Sequence, residues 1–306
     1  MLKLGAPYPG ALLTSDPAPL RDYLQSVENL GYSYISPGDH TLGIDVSRVP
    51  DLRPFFGQPP IFTNKTETRE CFVVAGFLAA LTRKLELEIS CVIPRRPTAL
   101  IAKETAEVDL LTGGRVRLNG IMGWNDLEYQ ALGSDYATRG ARCDEQIPLL
   151  RRFWTEPTID FKGRFHTITA AGLNPLPVQR PIPIWFGGGS KQVLRRVGRL
   201  CDGWTPWYPW FDAVRISADL ATIRTYAREA GRDPARIGVQ GLLLTPDARF
   251  GAPPDAPQVR TLAECVTHAQ AWERLGATHF SVTLPWAKRD VSSQLTGLRD
   301  FAKALR

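Results

Sequence analysis

Short runs rich in Val, Ile and Leu recur along the chain, and each is followed by a longer stretch whose apolar residues return at helical spacing. The strand-like runs are Leu2–Ala6, Ser33–Ser36, Leu85–Ile93, Arg115–Ile121, Ile182–Phe186, Gly203–Thr205, Ile237–Leu244 and His279–Leu284. The helix-like stretches, in the same order, are Pro19–Leu30, Glu67–Leu81, Thr98–Leu111, Arg142–Trp154, Lys191–Arg199, Asp212–Ala230, Leu262–Leu275 and Gln294–Leu305. Several end on a stop signal, as in Leu30-Gly31, Leu111-Thr112-Gly113, Ala230-Gly231 and Leu275-Gly276. Parallel strands need a long crossover, usually a helix. Eight such repeats predict an α/β fold, a (β/α)8 TIM barrel, with a doubly wound open sheet as the alternative.

Two segments exceed the repeat. Pro37–Thr66 separates the second strand from its helix, and Glu156–Pro181 separates the fourth helix from the fifth strand. Insertions this long commonly form lids or walls over a site. Within the second, two alternating pieces flank Lys162-Gly163 in Ile159–His166, which reads as a surface hairpin. The Pro-rich piece Asn174–Pro181 is too short for an interdomain linker, so residues 1–306 are expected to form one domain.

Composition narrows the class. With 22% charged and 43% hydrophobic residues among 306, the chain is an ordinary globular protein. No run approaches the ~18 apolar residues that cross a bilayer, and the start of the chain lacks a secretion signal, so a cytoplasmic location is expected. The excess of 37 basic over 31 acidic residues is spread evenly, which does not favour nucleic acid. It would suit an anionic small molecule, or be a solvated surface and nothing more. Five scattered cysteines and four scattered histidines indicate neither a disulfide framework nor a metal site.

In a barrel of parallel strands the reacting groups lie just after the strands. Those positions hold Tyr8, Asp39-His40, Pro94-Arg95-Arg96, Gly123-Trp124-Asn125, Gly187 to Ser190, Trp207, Thr245, and Trp286 with Lys288. Aromatic rings, an imidazole and a glycine-rich turn at one mouth suit a planar heterocycle carrying phosphate. The turn Gly187-Gly188-Gly189-Ser190 could cradle that phosphate at a helix N-terminus, or be a tight turn with Ser190 as N-cap. It lacks the Rossmann spacing. His40 could exchange a proton near neutral pH, or be an exposed loop residue. Arg139 and Arg142 sit where a helix begins and want an anionic partner, either Asp144 or Glu145 or a ligand phosphate. Glu70 and Glu104 read as solvated helix carboxylates. No nucleophile elbow, Cys/His pair or paired-carboxylate motif stands out.

Taken together these residues resemble the bacterial luciferase-like family of flavin- and deazaflavin-dependent oxidoreductases. The likeness runs through Thr82-Arg83-Lys84-Leu85, Pro94, Ala102-Lys103, Asp109 to Val116 and Gly120 to Asn125. It continues through Glu128, Leu132-Gly133, Arg139-Gly140, Asp144-Glu145, Phe153-Trp154-Thr155, Pro181 to Gly188 and Asp202-Gly203-Trp204. Asn119 departs from the small hydrophobic run, rich in Gly and Val, usual at this place. The resemblance implies a (β/α)8 barrel holding FMN or coenzyme F420 at the strand ends, with Asp39-His40 matching a motif of the deazaflavin enzymes. It implies F420 as cofactor, hydride transfer between C5 of the deazaflavin and a small organic substrate, and a homodimer. An FMNH2-dependent two-component monooxygenase is the alternative, and a non-catalytic flavin-binding barrel a third. On this basis His40 is the expected acid/base. Asp39, Ser90, Cys91, Val92, Gly123, Trp124, Arg139, Gly187, Gly188, Gly189 and Ser190 are expected at the cofactor, and Tyr8, Trp207 and Trp286 at the substrate. The resemblance also implies a non-proline cis peptide at Ser90–Cys91.

Overall fold

The computed structural model describes residues 1–49, 62–208, 211–243, 259–284 and 290–306. In chain order the strands are β1 (Lys3–Ala6), β2 (Tyr34–Ile35), β3 (Glu86–Val92), β4 (Val116–Ile121), β5 (Ile159–Lys162), β6 (Thr167–Ala171), β7 (Ile184–Gly187), β8 (Gly203–Thr205), β9 (Gly238–Leu242) and β10 (His279–Ser281). All but β5 and β6 pair in parallel and close into an eight-stranded barrel, with β10 returning to β1. The open-sheet alternative is thereby excluded, and each of the eight expected strands has its counterpart. The helices are α1 (Ala18–Asn29), α2 (Cys71–Leu81), α3 (Thr98–Thr112), α4 (Asp126–Ala131), α5 (Arg139–Thr155), α6 (Lys191–Leu200), α7 (Ala213–Glu229), α8 (Leu262–Arg274) and α9 (Val291–Leu305). The four glycines of the stop signals, Gly31, Gly113, Gly231 and Gly276, all have positive φ. Among the described residues no helix is long and apolar enough to cross a membrane.

Alternation along the strands divides the barrel into two environments. Outward residues such as Leu87, Ile89 and Cys91 of β3 and Ile184 and Phe186 of β7 are fully buried under the helices. Leu20, Leu24, Leu78, Ile101, Leu150 and Phe301 cover them from the helical side. Burying such side chains stabilises by about 1.5–3 kcal/mol each, so this shell carries most of the fold. The lumen is polar instead. Glu88, Arg117, Asn119, Gln240 and His279 fill it, together with the rings of Tyr34 and Trp185. Trp185 fits because β8 and β9 each place a glycine against it. A Cβ at Gly203 or Gly238 would come within 2.1 and 2.4 Å of the indole.

The second insertion does form a hairpin, with β5 and β6 antiparallel. Its return strand lies later than the alternation suggests, at Thr167–Ala171. The cause is Glu145, whose carboxylate accepts the amides of Arg164, Phe165 and His166 at 2.7–3.0 Å and so fixes the turn before β6. Helix α4 has no periodic signature, being six residues long, but Asn125 caps it by accepting from the amides of Leu127 and Glu128. Helix α5 starts at Arg139, three residues earlier than expected.

The cis peptide bonds among the described residues are Asn174–Pro175 and Arg180–Pro181. The expectation at Ser90–Cys91 is not met. Both residues stay in regular parallel register there, opposite Asn119 and Gly120 of β4.

Candidate active site

At the carboxyl ends of the strands lies a cavity of about 300 Å³. Its floor is Ser90 and Val92 of β3 with Ile121 of β4, and its walls include Trp124, Trp207 and Phe62. Gly187 and Gly188 border it on one side and Gly38, Asp39 and His40 on another. A second cavity of about 320 Å³, lined by Tyr8, Thr68 and Arg69, shares Gly38, His40 and Phe62 with the first. A Cβ built on Gly38 meets nothing within 4 Å, so this strand end faces open space.

His40 stands between the two cavities. Its ring stacks on Phe62 with centroids 3.8 Å apart and planes 26° from parallel. Its Nδ1 lies 3.5 Å from Glu128 Oε2, an ion-pair distance, long for a hydrogen bond. Glu128 is buried on α4 and serves three further partners. Its Oε1 accepts the amides of Thr41 and Leu42 at 2.8 and 3.0 Å, and its Oε2 pairs with Arg95 at 2.8 Å. Burial pushes the Glu128 carboxyl up, but the His40 contact, the Arg95 charge and the Leu42 amide together hold it below the usual carboxylate range.

Asp39 has a structural task. Its side chain is sealed from solvent, its Oδ2 accepts the amide of Val92 at 2.9 Å, and its Oδ1 pairs with Arg95 at 2.7 Å. It ties the loop after β2 to the end of β3, which fixes where His40 begins. Asp39, Cys71 and Cys91 bring their ligand atoms within 4.8 Å of one another. Arg95 and Arg96 already face that carboxylate, so a cation there would meet two guanidinium groups.

Beneath the floor, the Arg117 guanidinium lies 4.1 Å from the Trp185 ring centroid and 5.0 Å from that of Tyr34. Its Nη2 pairs with Glu88 Oε2 at 2.5 Å. Glu88 Oε1 accepts from Ser36 Oγ, Asn119 Nδ2 and Gln240 Nε2 at 3.1–3.2 Å. Asn119, the departure noted in the sequence, is thus a partner of Glu88, and its Oδ1 accepts from Thr205 at 3.3 Å. Burial raises the Glu88 pKa, and the Arg117 charge opposes the rise only in part.

On the opposite wall, Ser190 caps α6 by accepting from the Val193 amide at 3.3 Å. Gly188 has φ +124, its amide donates to Thr205 O at 3.0 Å, and its carbonyl accepts from Trp204 Nε1 at 2.7 Å. The turn is therefore rigid and held at a helix N-terminus, where N–H groups favour an anion.

Of the residues expected at the cofactor, Asp39, Ser90, Val92, Gly123, Trp124, Gly187 and Gly188 line the first cavity, as does His40. Trp207 lines it as well, whereas Tyr8 lines the second. Cys91 does not join them. It points outward into the shell under α2, since its neighbours Ser90 and Val92 take the inward positions. Gly189 and Ser190 lie past the cavity rim, with Gly189 against Tyr208. Arg139 is also outside: its guanidinium stacks 3.6 Å from the Tyr136 ring centroid and donates to Tyr136 O. Arg142 donates to Pro94 O and Asp135 O, while Asp144 pairs with Arg196 and Glu145 with His166. Glu70 and Glu104 both pair with Arg96 and are not simply solvated. Trp286, Lys288 and Thr245 lie outside the described residues. Phe62 and the His40–Glu128–Arg95 chain were not anticipated. Only Glu128's place in the resemblance hinted at them.

The family model for luciferase-like monooxygenases matches residues 4–249. An uncharacterised protein of Mycobacterium tuberculosis is 35% identical over 176 residues, 56% of this chain and 59% of that protein. An FMNH2-dependent dimethylsulfone monooxygenase of Pseudomonas putida is 32% identical over 183 residues, 58% of this chain and 49% of that one. The matched region thus spans about half the length of these curated relatives. Among solved structures, an F420-dependent secondary alcohol dehydrogenase in complex with an F420-acetone adduct superposes with a TM-score of 0.73. It is 16% identical, over 100% of this chain and 99% of that one, a likeness of fold.

Proposed function

Since the chain belongs to the luciferase-like monooxygenase family, we propose that it is a coenzyme F420-dependent oxidoreductase acting on a small organic substrate. The observation that carries this reading is His40, an imidazole held at the junction of two cavities by Phe62 and Glu128. When bound, F420 supplies a hydride donor or acceptor at C5.

The residues present fit such a group. Trp124, Trp207 and Val92 offer flat apolar contact for a tricyclic ring, and the open space beside Gly38 leaves room for it. Gly187 and Gly188, in the turn that leads from β7 to α6, would let a phosphate approach the N-terminus of that helix. Tyr8, Thr68 and Arg69 would bind the substrate in the second cavity, on the far side of His40. Oxidation of an alcohol releases a proton from its oxygen, and reduction of a carbonyl requires one there. The His40 ring would take or give that proton, with Glu128 orienting the ring.

The 32% identity to an FMNH2-dependent monooxygenase favours a second reading, in which reduced FMN and dioxygen act in the same cavity. Oxygen demand separates the two. Anaerobic exchange of hydride between F420 and an organic substrate supports the first reading. Oxygen consumption that requires reduced FMN, with no F420 turnover, supports the second.

A further inference from the structure

The polar lumen beneath the cavity has no place in the chemistry assigned to His40, yet it touches the cavity floor. Ser36 Oγ lies 3.2 Å from Glu88 Oε1 and 3.3 Å from Ser90 Oγ, and Ser90 lines the cavity. Glu88 itself is 1% exposed. We propose that Ser90 and Ser36 form a proton relay ending at Glu88, giving the cavity a second proton-handling group on its floor, apart from His40.

The relay balances without any other reactant. A proton arriving at Ser90 Oγ displaces the Ser90 proton to Ser36 Oγ, and the Ser36 proton passes to Glu88 Oε1. One O–H bond breaks in the cavity and one forms on Glu88; the reverse sequence returns the proton. Each hop spans an existing hydrogen bond. The remaining neighbours of Glu88 are amide donors, Asn119 and Gln240, which hold the carboxyl without relaying protons, and Arg117, which balances its charge. The other titratable groups facing it are Glu86 and Tyr34, with His279 and Lys3 beyond Arg117. Burial favours the neutral carboxyl and raises the Glu88 pKa above the ordinary carboxylate value, with the Arg117 charge opposing the rise.

This inference rests on the proposed function for its purpose, but not for its test. Infrared spectra of the cofactor-free protein, titrated with acid, should show the carbonyl stretch of a buried protonated carboxyl that is absent in Glu88→Gln. On rapid mixing into D2O that band should shift quickly in the wild type. In Ser36→Ala and in Ser90→Ala it should shift at least about tenfold more slowly, because exchange must then await local opening of the barrel. Ser90→Thr, which restores the hydroxyl, should recover the fast rate. Circular dichroism of the serine variants checks that the barrel is intact. No band lost in Glu88→Gln, or unchanged exchange in both alanine variants, overturns the relay. Failure to bind F420 or FMN would overturn the proposed function and leave the exchange result standing.

Discussion

His40 Nδ1 lies 3.5 Å from Glu128 Oε2, and Glu128 in turn is 2.8 Å from Arg95. The imidazole is thereby aimed by a buried carboxylate whose own charge is held by a guanidinium and two loop amides. Such a base–orienter pair is what proton transfer at a substrate oxygen requires.

His40→Ala should lower turnover by about 10²-fold or more, with cofactor affinity nearly kept. Steady-state kinetics on the variant, beside its cofactor titration, would show this. Unchanged turnover would reduce His40 to a wall residue.

Gly38 faces open space and its φ lies outside the left-handed region. Gly38→Leu should therefore occupy the cavity without straining the backbone and abolish cofactor binding while the melting temperature stays within a few degrees. Gly188→Asp should also block binding, because its carboxylate would repel a phosphate, but at φ +124 it should lower the melting temperature too. Normal binding by Gly38→Leu would place the ring elsewhere.

Arg117 is the counter-charge of Glu88 in the lumen. Arg117→Met removes one member of a buried pair and should cost about 3–5 kcal/mol in urea unfolding. Combining it with Glu88→Gln should recover much of that loss. A single-variant loss below about 1 kcal/mol would mean that Glu88 needs no counter-charge.

Burial, with Arg117 and Lys3 nearby, lowers the His279 pKa to about 3, from an ordinary value of 6.5. Between those values the unfolded chain binds a proton that the native state refuses. Stability should therefore fall as pH drops below about 6.5, by up to about 1.4 kcal/mol per pH unit, and this contribution should level off near pH 3. His279→Phe should be less sensitive to acid over that window. Parallel stability-against-pH curves for the two proteins would argue against a neutral buried imidazole.

The sequence discloses the barrel more readily than its contents, and β3 shows why. Leu85, Leu87, Ile89 and Cys91 alternate with Glu86, Glu88 and Ser90, a pattern that reads as a strand with one wet face. The polar face actually points into the lumen, where Arg117 and Asn119 answer it, and nothing local to β3 reveals that. The same alternation could have placed Cys91 outside the cavity, since it falls between inward-facing Ser90 and Val92. Asp39 and His40 are legible because they follow a strand directly. Glu128 and Phe62 are not, because only the closed fold brings a short helix and an insertion back to the loop after β2. Arg139 lies outside the cavity because the anionic partner expected for a helix-opening arginine is replaced by a tyrosine ring and a carbonyl.

F420-dependent and FMN-dependent chemistry at this cavity differ first in which cofactor the protein binds. Titration of the purified protein with F420 and with FMN, followed by fluorescence, tests this most directly. F420 should bind at least about tenfold more tightly than FMN, a difference of about 1.4 kcal/mol; equal affinities, or tighter binding of FMN, would contradict the F420 reading and move the protein to the flavin monooxygenases.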